Sequence, residues 1–246
     1  MVMSFFRRSD DSGIDLIEAQ VQRMVTDARH TFDLAMNALT GGSVASVGDE
    51  VRRTDRRINV TEMEIRRELV VHFSVHADGD ATEMLVFMNM IKDLERIGDY
   101  NKNVFDLAEE GVSFVDADDL ERILGFRDEI SSRIALMGEI LTTRDAERAR
   151  AFIARGDVMR HEFDDLVTEL VHSTSVANHA VPRALLYRFL KRITAHSLNV
   201  VTAVVMPVDR LDYFDEDGYG DGRGCEADDC DDTRADINPD GTEVCD

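Results

Sequence analysis

From Ile14 onward the apolar residues recur at steps of three and four, the spacing of one face of an α-helix. Ile17, Val21, Met24, Ala28, Phe32, Ala35 and Leu39 make the first such face. Asp10-Asp11-Ser12 offers an N-cap before it, and Gly41-Gly42 ends it. A second helix over about 48–76 places Val51, Ile58, Ile65, Leu69 and His72 together, and Ala77-Asp78-Gly79-Asp80 breaks it. A third, about 82–110, buries Phe87, Ile91, Leu94, Val104 and Ala108 and stops at Gly111. After residues 112–118 the pattern resumes over about 119–143, with Leu120, Ile123, Ile130, Ile134, Met137 and Leu141 inward. Two more helices follow, about 145–173 and 181–206, the last closed by Pro207, which cannot continue the hydrogen-bond ladder. Strand-like alternation is absent, so the pattern predicts an all-α protein of six long helices.

The six are two sets of three. Leu94-Glu-Arg-Ile-Gly-Asp-Tyr-Asn-Lys-Asn-Val104 aligns without gaps on Leu190-Lys-Arg-Ile-Thr-Ala-His-Ser-Leu-Asn-Val200, with five of eleven positions identical. Upstream, Asp55 corresponds to Asp157, Asn59 to His161, Glu62 to Asp164 and Ile65 to Val167. The expectation is a tandem pair of three-helix bundles, residues 12–111 and 119–211, that pack on each other. Residues 212–246, rich in Gly and Asp, hold too few apolar groups to offset their ordering entropy and are expected to be a disordered acidic tail.

Charge narrows the range of ligands. The 246 residues carry 50 acids against 28 bases, a formal charge of −22, so nucleic acid is excluded as the main partner. Only Lys92, Lys102 and Lys191 are lysines, and 32 of the acids are Asp, a balance expected of a salt-rich cytoplasm where screening relieves self-repulsion. No apolar run has the length of a membrane span, and Met1-Val-Met-Ser-Phe-Phe-Arg-Arg lacks the core of a signal peptide, so a cytoplasmic protein is expected. Cys225, Cys230 and Cys245 all fall in the tail. Their spacing fits no common zinc pattern; a metal clip or a redox handle is the alternative to a plain solubilising tail.

Two acidic stripes carry the candidate chemistry. Glu95 and Asp99 are four apart on the third helix, which puts them on one face, and Asn103 and Asp106 prolong it. If the second helix runs antiparallel beside it, Asp55, Asn59 and Glu62 face that stripe, giving an oxygen-rich site for Mg²⁺, Mn²⁺ or an iron or zinc cluster. The alternative is a solvated acidic face, since like charges at this spacing cost only about a few tenths of a kcal/mol. In the second copy Lys191 replaces the first acid and Ala195 the second, and Asp157, His161 and Asp164 stand with Lys191, His196 and Asn199. There Lys191 is expected to supply the positive charge that a metal would bring. Glu169-x-x-His172 echoes half of a di-iron motif, but no second Glu-x-x-His accompanies it. Arg52, Arg53, Arg56, Arg57, Arg66 and Arg67 on the second helix interleave with acids as a salt-bridged face, or as a docking face for an acidic partner or anion. With no phosphate loop or nucleophile elbow in the chain, no enzymatic role is expected.

Ile91-Lys-Asp-Leu-Glu-Arg-Ile-Gly-Asp99, with Asn103, resembles the signature of the PhoU phosphate-uptake regulators, and Asp55-Arg-Arg-Ile-Asn59-Val-Thr-Glu62 resembles the middle helix of that unit. The resemblance spans about residues 12–212. It departs at the lead-in to the third helix, where Asp80-Ala-Thr-Glu-Met-Leu85 replaces the usual Pro…Asp-Leu-Arg, and in the second copy's lost acidic pair. It implies tandem three-helix bundles, a metal cluster at the Glu95/Asp99 motif and a dimer. The role it implies is negative control of phosphate uptake through a phosphate ABC transporter and its sensor kinase, with membrane contact only through a partner. Two alternatives stay open: a metal-storage or di-iron bundle, and a PhoU-like regulator of another transporter.

Overall fold

In the computed structural model, which describes residues 12–75, 81–208 and 211, six helices account for nearly all of the described chain. They are α1 (Ser12–Thr40), α2 (Val44–Val75), α3 (Ala81–Glu109), α4 (Leu120–Thr143), α5 (Ala146–His172) and α6 (Ala177–Val205). The tail with its three cysteines, and the breaker at 77–80, lie outside the described residues. Every apolar position of the first predicted face, from Ile17 to Leu39, is buried. The termini follow local chemistry. Gly41 ends α1 at φ 137°, a conformation that strains any residue with a Cβ, and Gly111 does the same after α3 at φ 86°. The Asp145 carboxylate caps α5 by accepting from the amides of Glu147 and Arg148, both at 3.0 Å.

Two predicted starts shift. α2 begins four residues earlier than its pattern suggested, because Gly48 packs against Phe105 inside the helix rather than interrupting it. α6 also begins earlier and carries Pro182 within its second turn. The carbonyl that Pro182 leaves without an amide belongs to Asn178, an exposed residue that water can serve.

Within the first half α1, α2 and α3 pack on one another; in the second, α6 packs closely on α5 and on α4. The halves meet through α3 against α6 and α1 against α4. Along the first seam Tyr100 stacks on His196 at 5.6 Å and approaches Phe189 at 6.2 Å, while Asp93 meets His196. Exchanging the two copies converts the Tyr100–Phe189 contact into the His196–Asp93 contact. The seam is thus one patch used twice, as in a twofold dimer, but within a single chain. The connection between the halves is fixed at both ends. Phe114 donates its amide to the Leu39 carbonyl at 2.8 Å, and Arg183 of α6 clamps Asp119. Among the described residues no helix is long and apolar enough to cross a membrane.

Candidate functional site

α2 and α3 run antiparallel, and their register is set by a ladder of contacts. Arg52 pairs with Glu109 and lies 5.7 Å over the Phe105 ring. Asp55 meets Lys102, and Ile58 packs so closely on Gly98 that a Cβ there would lie 3.1 Å from it. Continuing that register by one turn brings Glu62 opposite Glu95. The six candidate ligands therefore share one helix pair: Asp55 and Glu62 are buried, while Asn59, Glu95, Asp99 and Asn103 are half-buried.

Each carboxylate already has a cation. The Lys102 ammonium sits 3.2 Å from both oxygens of Asp55 and 3.5 Å from Asp99. Burial would lower its pKa, but Asp55 and Asp99 hold it above the ordinary lysine value. Glu95 accepts from Lys92 at 2.7 Å, and Arg96 stays on its own helix beside Asp99 rather than bridging to another. Arg66 approaches Glu62 to 2.7 Å, outside hydrogen-bonding geometry, and leaves that buried Oε1 without a hydrogen bond. Asp106, at the open end of the stripe, has its carboxyl pushed up by partial burial and by Glu109. Among the described residues no three His, Cys, Asp or Glu side chains converge on a point as a metal site. The face is oxygen-rich, with Lys102 standing between two of its acids.

In the second half the corresponding level holds a direct ion pair, Lys191 with Asp164, in place of Glu95 and Glu62. Asp157 is flanked by Arg160 at 3.2 Å and His161 at 3.7 Å. His196 and Asn199 do not join this stripe. They turn to α3, where His196 Nδ1 lies 2.7 Å from the Asp93 Oδ1 and the Asn199 amide donates to the same oxygen at 3.2 Å. Nothing in the α3 motif marks Asp93 as different from its acidic neighbours. The clue was the helical angle, which sets Asp93 on the apolar side with Leu94 and Ile97.

The arginines of α2 follow the salt-bridged reading. Arg57 grips Asp27 with two 2.6 Å hydrogen bonds, and Arg53 pairs with Glu50 at 2.7 Å. Glu169 and His172 are exposed, on the outside of the bundle. His72 is half-buried with its ring edge-on to Phe73, and His76 lies outside the described residues. A second polar cluster escapes sequence patterns: Arg183, only 8% exposed, binds Asp119 and Asp118, and Tyr187 donates to Asp119 at 3.1 Å. Burial tends to raise the Asp119 carboxyl, yet the bonds from Arg183 and Tyr187 hold it below the ordinary carboxylate range.

The chain's likeness to known proteins agrees with this architecture. Residues 21–108, from α1 to the end of α3, match the family model of the PhoU domain. No curated protein matches the chain. Among solved structures it resembles the crystal structure of PhoU from Pseudomonas aeruginosa, at 20% identity and a TM-score of 0.67, over 81% of this chain and 98% of that one. The whole helical arrangement is thus similar to that of PhoU, and the first half is similar to the PhoU domain in sequence as well.

Proposed function

We propose that this chain is a PhoU-type regulator of phosphate homeostasis that works by binding rather than by bond chemistry. The observation that carries the reading is the PhoU-domain match at 21–108, which contains the acidic α3 motif, within a fold like PhoU across both halves. Its partners in this reading are a phosphate ABC transporter and the associated sensor kinase, met at the cytoplasmic face by a homodimer of the chain. Deleting the gene tests it. Intracellular phosphate should rise when external phosphate is plentiful; unaltered phosphate handling overturns the assignment.

The same reading includes a divalent-cation site on Asp55, Asn59, Glu62, Glu95, Asp99 and Asn103. Their all-oxygen chemistry fits Mg²⁺, Mn²⁺ or carboxylate-bound iron, and fits zinc less well because zinc sites more often include nitrogen or sulfur. The buried Glu62 Oε1, beside the Arg66 guanidinium but without a hydrogen bond, supports an acceptor with a free lone pair. Lys102, a third exposed, must swing aside before Asp55 and Asp99 can hold the ion. Lys102→Met should therefore tighten Mn²⁺ binding about tenfold or more by calorimetry, whereas equal affinity in both proteins would count against this placement. The acid excess and scarcity of lysine support a salt-rich setting, to be tested by a melting temperature that climbs with molar KCl.

A further inference from the structure

One cleft of about 250 Å³ opens where the two halves meet, and its walls come from α1, α3, α4 and α6. Val21, Phe87, Met90 and Val204 make it apolar, and its mouth carries Asp15 and Glu18 of α1 with Arg144 at the α4–α5 corner. Arg144 is held in the left-handed conformation at φ 54° and pairs with Glu18, so the balance of rim charge is negative. The acceptable occupant is apolar with an adjoining positive charge.

We propose that the occupant is the segment Phe5-Phe6-Arg7-Arg8 of this same chain, with the aromatic rings in the cleft and the guanidinium groups against Asp15. Residues 1–11 lie outside the described part, so the argument rests on the cleft, on reach and on chemistry. Five residues, and so six Cα steps, separate Phe6 from Ser12, enough to span about 20 Å when extended. The α1 residues at the cleft, Asp15 to Gln22, lie within about 15 Å of Ser12 along the helix. Two adjacent aromatics followed by two arginines match an apolar floor and an acidic rim, and this is the only such run ahead of α1. Both halves line the cleft, beside the α3–α6 and α1–α4 contacts that already join them. This proposal stands apart from the phosphate reading and can fail or hold independently of it.

The chain contains no tryptophan, so Phe6→Trp in the full-length protein gives a single reporter. Its emission should be blue-shifted and quenched by acrylamide several-fold less than in urea-unfolded protein. The rim reversal Asp15→Arg with Glu18→Arg should shift the emission red and restore quenching, with unchanged far-UV circular dichroism. Arg7→Glu with Arg8→Glu should do the same. Phe5→Trp serves as the second reporter if the larger ring at position 6 does not fit. Emission of solvent-exposed tryptophan from both reporters overturns the proposal, and so does protected emission that ignores the rim reversal.

Discussion

At one structural level the two halves solve the same electrostatic problem in opposite ways. The first half sets two acids, Glu62 and Glu95, across from each other and answers each with a cation from its own helix. The second sets a lysine against an acid, Lys191 with Asp164, and needs nothing further. The lesson is that a repeat can keep its backbone while one copy neutralises an acid across the helix pair and the other neutralises its acids along each helix.

The sharpest contrast in packing comes from two glycines. A Cβ on Gly156 of α5 would meet Arg133 at 2.3 Å and Leu198 at 2.4 Å. Arg133 cannot easily retreat: it donates to the Phe152 carbonyl at 2.8 Å, stacks 4.0 Å over that ring, and burial lowers its guanidinium to about 10. Gly156→Ala should lose about 2–3 kcal/mol in urea denaturation. Gly98→Ala in α3 meets only Ile58 at 3.1 Å, and the gain of about 1 kcal/mol from replacing a helical glycine should leave it near neutral.

Next come the clamps. Arg183→Met strands a partly buried Asp119 and should cost about 2–3 kcal/mol by the same assay. Arg57→Met, from a side chain 40% exposed, should cost about 1 kcal/mol. Exchanging the charges between halves probes the comparison directly. Lys191→Glu should lose under about 1 kcal/mol and raise the Mn²⁺ stoichiometry from one to two, and unchanged stoichiometry would sink the idea that Lys191 substitutes for an ion. Glu95→Lys should abolish Mn²⁺ binding in the first half and leave stability equal or slightly higher.

The smallest effect is the response to acid. Asp119, held low, contributes stability above the ordinary carboxylate range that is lost as pH falls through its depressed value. Asp106, pushed up, has the opposite sign: acidification relieves a penalty. Stability curves of Asp119→Asn should therefore converge on wild type as pH falls below 4, whereas Asp106→Asn should differ most near neutrality and by less.

The helices were legible because periodicity alone decides which residues face a core, and Ile17 through Leu39 carried that signal without contradiction. The shared face of Asp55, Glu62, Glu95 and Asp99 was legible for the same reason, since spacing and direction fix a register. What spacing does not encode is which neighbour neutralises a charge. Lys102 is one residue in a helix rich in acids, and only the packed pair of helices shows it between Asp55 and Asp99. The side chains of the α3–α6 seam escape the sequence pattern for a related reason. Repeat alignment groups His196 and Asn199 with Asp157, His161, Asp164 and Lys191, but a helix packed on both sides has two inward faces, and theirs looks toward α3.

The seam in which Tyr100 stacks on His196 has a consequence for how this molecule can change. A true homodimer receives every mutation twice, once on each side of its axis. Here the two sides are separate codons, so an acid can be traded for a base on one side while the other keeps its original charge. Two copies within one chain are under no symmetry that keeps them alike.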